Sequence, residues 1–91
     1  MVVKLLFNIN MRNGDKKNIT VEEKDPKGYL VDKKTGDRKE ISLTDKEVQA
    51  EYSRKIFESI EQRKPMRFLD IEGKVHVINS YDVSSITVKI V

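Results

Sequence analysis

Cysteine is absent from this chain, which excludes disulfides, thiolate nucleophiles and zinc–thiolate sites. Histidine occurs once, at position 76, and no calcium-loop pattern is present, so no bound metal is expected. The four glycines, Gly14, Gly28, Gly36 and Gly73, stand alone and form no phosphate-cradling loop. No Gly-x-Ser-x-Gly elbow surrounds any serine. Long apolar runs are missing too: none exceeds three residues, as in Leu5-Leu6-Phe7, against roughly 20 residues for a membrane-spanning helix. The start, Met1-Val2-Val3-Lys4, has no charged segment leading into an apolar one, so no secretion leader is expected. Together these absences predict a cytoplasmic protein with no cofactor, no membrane partner and no enzymatic activity.

Charge is what the chain has in quantity. Charged residues make up 36% of the 91 residues and hydrophobic ones 37%. That composition supports one modest core, and residues 1–91 are expected to form a single domain. The formal net charge of +3 is unevenly distributed. Residues 1–21 carry four basic groups and one acidic group, while residues 22–40 carry six of each, so the excess sits towards the N-terminus. An excess of this size favours solubility and is weak evidence of a nucleic-acid partner.

The apolar residues are periodic, which argues against disorder. Val3, Leu5, Phe7, Ile9 and Met11 alternate with Val2, Lys4, Leu6, Asn8, Asn10 and Arg12, the pattern of a half-buried strand. Asn13-Gly14-Asp15 supplies a turn, and Asn18 to Glu22 returns with Ile19 and Val21 on one face. Asp25-Pro26-Lys27-Gly28 breaks the chain. Tyr29-Leu30-Val31 and Arg38 to Leu43 then predict a second hairpin around Asp32-Lys33-Lys34-Thr35-Gly36, the most charged and most exposed part of the chain.

A helix is predicted from a capping box, Thr44 with Glu47, flanked by the staple pair Leu43 and Val48. Val48, Tyr52, Ile56 and Ile60, with Phe57 alongside, predict one apolar stripe, and Pro65 ends the helix. Strands follow at Met66 to Ile71, Lys74 to Asn79 and Ile86 to Val91. The predicted fold is therefore α+β: a mostly antiparallel curled sheet or partial barrel of six or seven strands with one helix, in the order ββββαβββ.

Few residues carry chemistry. His76 has Asp70 as its cross-strand neighbour in one hairpin, but no nucleophile or substrate-binding group accompanies the pair, and a structural role is expected. The carboxylate pairs Glu22-Glu23 and Asp70-Glu72 abut turns, where charged residues are ordinarily just solvated. The basic groups remain. Arg12, Lys16 and Lys17 cluster at one turn, and Lys33, Lys34, Arg38 and Lys39 at another. If both turns point the same way, they could follow a phosphate backbone. Interleaved Asp15, Asp32 and Asp37 weaken that field, and solvated hairpin tips are the preferred reading.

The segment Phe68-Leu69-Asp70-Ile71-Glu72-Gly73-Lys74-Val75-His76-Val77-Ile78-Asn79, through Val83-Ser84-Ser85-Ile86-Thr87-Val88, resembles the end of many small phage and prophage proteins of Gram-positive bacteria. There, a strand with Asp-x-x-Gly-Lys is followed by an Ile-Asn strand end and a short Val/Ile-x-x-Ile strand. The resemblance covers residues 44–91 and brings no catalytic or binding residue with it. It implies an accessory protein of a mobile element that works by contact with a partner.

Two readings follow. The first is a protein-interaction or structural module whose sheet edge or hairpin docks on another protein or on a second copy of the chain. The second is a small nucleic-acid-binding protein using the basic hairpin tips. Under the second, Arg12, Lys16, Lys17, Lys33 and Lys34 should converge on one face; under the first, they should scatter.

Overall fold

The computed structural model describes residues 1–91. In chain order the elements are β1 (Val2–Met11), β2 (Lys16–Lys24), β3 (Lys27–Val31), β4 (Arg38–Ser42), α1 (Asp45–Glu61), β5 (Pro65–Leu69), β6 (Val75–Asn79) and β7 (Val83–Ile90), with a single 3-10 turn at Ser80–Asp82. The α+β class, the lone helix and the antiparallel pairing are as expected. The spatial arrangement corrects the expectation of one curled sheet or partial barrel. The strands divide into a three-stranded sheet, ordered β2-β1-β7, and two separate hairpins, β3-β4 and β5-β6.

Local chemistry explains the division. Asp25 adopts a left-handed conformation (φ 44°) and Pro26 has no N–H, so the ladder of β2 cannot run on into β3. At the opposite edge of the sheet, the Val88 carbonyl of β7 accepts a bond from Gln49 Nε2 of the helix at 2.9 Å. The free edge of β2 receives only one backbone bond from the β5-β6 turn, Ile71 N to Thr20 O at 3.1 Å. Neither edge carries the continuous ladder that a barrel requires.

Alternation along β1 organises the core. The odd residues Val3, Leu5, Phe7 and Ile9 are at most 2% exposed and face the helix. Ile19 and Val21 of β2 extend that face on one side, and half-buried Ile86 and Val88 of β7 on the other. Helix α1 and hairpin β5-β6 close over it. Val48 and Ile56 descend from the helix, and Met66, Phe68 and Ile78 come from the hairpin. Phe7 lies at the centre, its ring 5.5 Å from Tyr52 and 4.9 Å from Phe68. Each such side chain, fully buried, contributes roughly 1.5–3 kcal/mol.

The helix begins as predicted. The Thr44 hydroxyl accepts from Glu47 N, and the Glu47 carboxylate accepts from Thr44 N, both at 3.2 Å. The helix ends in a Schellman turn: Lys64 N donates to Ser59 O at 2.9 Å and Arg63 N to Ile60 O at 3.3 Å. The apolar stripe is narrower than expected, however. Phe57 is 62% exposed and Ile60 is 43% exposed. Both stand beside Ile86 and Val88 of β7, the last strand of the sheet, so no further strand exists to cover them. No helix is long and apolar enough to cross a membrane.

Candidate interaction surfaces

Strand β6 and the β5-β6 turn bring Asp70 and His76 together, with Asp70 Oδ2 2.7 Å from His76 Nε2. The other carboxylate oxygen accepts from Glu72 N and Lys74 N, each at 2.9 Å. The bond to His76, then these backbone donors, hold the Asp70 carboxyl below its ordinary value. Gly73 (φ 83°) completes the turn. Both carboxylate oxygens of Asp70 are engaged within its own hairpin, so the pair fastens the turn.

The two carboxylate pairs are separated. Glu22 and Glu23 point to opposite faces of β2, as neighbours on a strand must. Glu23 turns to the helix and accepts from Tyr52 Oη at 2.5 Å, and burial together with that carboxylate raises the Tyr52 phenol's pKa. Glu72 is solvent-exposed, its carboxylate 3.8 Å from Lys74 Nζ. No three His, Cys, Asp or Glu side chains gather into a group that could hold a metal ion.

The seven basic candidates do not meet on one face. Arg12, Lys16 and Lys17 lie at the β1-β2 turn, at one end of β1. Hairpin β3-β4 is rooted at the other end, where Asp25 N donates to Met1 O and Leu43 N to Pro26 O. Ten residues of strand, roughly 33 Å, separate the two roots. The β3-β4 hairpin projects as an arm carrying Lys33, Lys34, Arg38 and Lys39, and the molecule is 51 Å long but only 19 Å thick. Within each group, Lys16 and Lys17, and likewise Arg38 and Lys39, point to opposite faces of their strands. Asp32 is used up in its own turn, where its side chain accepts from Lys34 N at 2.8 Å.

Uncovered apolar surface is the more prominent feature. On β5-β6 the face away from the core carries Leu69 opposite Val75, with Val77 beside them, each more than half exposed. On the arm, Tyr29, Leu30 and Val31 are likewise more than half exposed. Between the arm's root and α1 runs an open groove of about 690 Å³, lined in part by Tyr29, Ile41, Leu43 and Tyr52. Sequence reasoning expected the arm to be exposed but singled out none of these apolar side chains as a contact surface. The signal was present: β5 and β6 are apolar on both faces, a pattern that calls for cover on both sides.

No protein-family model, no curated protein and no solved structure matches this chain.

Proposed function

We propose that this chain is a non-enzymatic protein-interaction module that presents the outer face of β5-β6 and the β3-β4 arm to another protein or to a second copy of itself. One observation carries the reading: fourteen large hydrophobic side chains are exposed against twelve that are buried. Scattered exposed apolar residues are ordinary on a monomer, but clusters on strand faces mark contact sites. The shape agrees with this. The accessible surface is 6845 Å², where a compact protein of 10.6 kDa has about 5,500 Å². The radius of gyration is 15.1 Å, against about 12 Å for a compact chain of 91 residues. The surplus surface of about 1,300 Å² is comparable in scale with what specific interfaces bury.

The test is photo-cross-linking in cells that naturally make the protein, with the reactive residue placed at Val75 in one variant and at Tyr29 in another. A discrete adduct from either position, absent when the residue sits at exposed Lys46, is the expected result. No adduct from either position, together with a monomer in sedimentation at high concentration, would overturn the reading.

A further inference from the structure

The face of the three-stranded sheet turned away from the helix has a different chemistry, fixed by register. The pairing places Lys4 opposite Glu22, Asn8 opposite Asn18, and Asn10 opposite Lys16 on β2, with Val2 opposite Lys24 at the edge. On the other side, Leu6 lies opposite Lys89, Asn8 opposite Thr87, and Asn10 opposite Ser85. Asn8 and Asn10 of β1 therefore head a grid of amides and hydroxyls with lysines around it, and Leu6, opposite Thr20, and Val2 are the apolar residues of β1 on the same face. Four lysines, Lys4, Lys16, Lys24 and Lys89, stand against one acidic side chain, Glu22. That difference equals the entire formal charge of +3, so the remaining side chains sum to zero. None of the four lysines is engaged in an ion pair. The helix and both hairpins leave this face open, and its lysines are all solvent-exposed.

We infer that this face binds the phosphate backbone of a double-stranded nucleic acid. A protein partner fits poorly, because protein interfaces are built around an apolar, charge-depleted centre, and here the central row sets a single apolar residue, Leu6, between Thr20 and Lys89, with Asn8, Asn18 and Thr87 in the next row. Nucleic-acid interfaces are polar, wet and positive, and most of their hydrogen bonds run from side chains such as Lys, Asn, Ser and Thr to phosphate and sugar. A single strand also fits poorly: it is gripped by stacking, and no aromatic side chain lies on this face. The patch is about 10 Å wide across three strands and about 27 Å long from Lys16 to Lys24, enough to follow a duplex for most of a turn. No arginine is among the strand-paired residues of this face, so the recognition is of the backbone and independent of sequence. This inference does not depend on the apolar surfaces and can fail without them.

Fluorescence anisotropy of a labelled 20-base-pair duplex tests it. Four lysine–phosphate contacts predict that affinity falls about a hundredfold between 50 and 200 mM salt. Lys4→Gln with Lys89→Gln, or Lys16→Gln with Lys24→Gln, should each lower the slope of log affinity against log salt by about 2. Lys33→Gln with Lys34→Gln, on the arm, should leave both affinity and slope unchanged. Thermal melts of each variant check that these exposed replacements leave the fold intact. The inference is overturned if no duplex binding occurs at low salt, if the arm variant removes it, or if the face variants keep it. Tighter binding to a single strand, or binding to anionic vesicles without binding to duplex, would also overturn it.

Discussion

Hairpins β3-β4 and β5-β6 have strands of the same length, five residues each, and flank the helix in sequence. One is packed and the other is not. Hairpin β5-β6 gathers Met66, Phe68 and Ile78 on one face, which reaches the core, and leaves Leu69, Val75 and Val77 on the other. In β3 the apolar residues are consecutive, Tyr29-Leu30-Val31, which sends them to both faces, and their partners on β4 are Glu40, Lys39 and Arg38. No single face of the arm is apolar enough to hold it against the body. A lone two-stranded hairpin is marginal in water. The arm is held at its root, where Leu43 packs so closely on Gly28 that an added Cβ would lie 3.1 Å from the leucine side chain. The contrast teaches that placement along the strand decides docking, and content does so less.

Truncation is the most direct way to break the comparison. Phe68→Ala removes a ring that is 4% exposed and lies against Phe7, and should destabilise the protein by roughly 3–5 kcal/mol. Tyr29→Ala, on the arm, should change stability by no more than about 0.5 kcal/mol. Urea unfolding of both variants checks this, and comparable losses would mean that the arm is packed in solution. The same contrast recurs one residue apart on the helix. Ile56→Ala should cost roughly 2–4 kcal/mol, whereas Phe57→Ala, beside the last strand, should cost less than about 1 kcal/mol.

The Phe57 case shows where sequence becomes insufficient. The period-two pattern of β1, the turn at Asn13-Gly14-Asp15 and the Thr44–Glu47 capping box are local signals, and each forms as read. Helical spacing defines a stripe but not its width. That depends on how many strands lie beneath it, which β7 decides by pairing with β1 across more than seventy residues of chain. No local feature sets that register. The basic groups illustrate the same point. Clusters at turns stand out in a sequence because they are adjacent, yet Lys4, Lys16, Lys24 and Lys89 come from three strands and meet only through register. Of the seven basic residues singled out from the sequence, only Lys16 is placed on that face by the strand register.

Acid sharpens the hairpin comparison. The Asp70 carboxyl titrates below its ordinary value of 3.8 because the charged form is held by His76 and by two backbone N–H groups of its own turn. Its contribution is therefore complete above the ordinary carboxylate value and is lost as the pH falls through the lower, folded one. Carboxyl-carbon NMR should place the Asp70 midpoint below 3.8, with the Glu72 and Lys74 amides losing protection over the same range. A midpoint at or above 3.8 would remove the carboxylate from its anchoring role in the packed hairpin.

The smallest effect concerns the joint through which the helix enters that hairpin. Arg63 is the left-handed residue of the Schellman turn (φ 54°), a position that disfavours any residue with a Cβ. Its guanidinium forms no ion pair that would offset the strain. Arg63→Gly should relieve it, although glycine also loosens the unfolded chain, leaving a net gain of about 0.5–1 kcal/mol. The gain should appear as a higher urea midpoint with an unchanged slope. A lower midpoint would show that the Arg63 side chain makes a stabilising contact, so that the turn into β5 is held by packing as well as by its two backbone bonds.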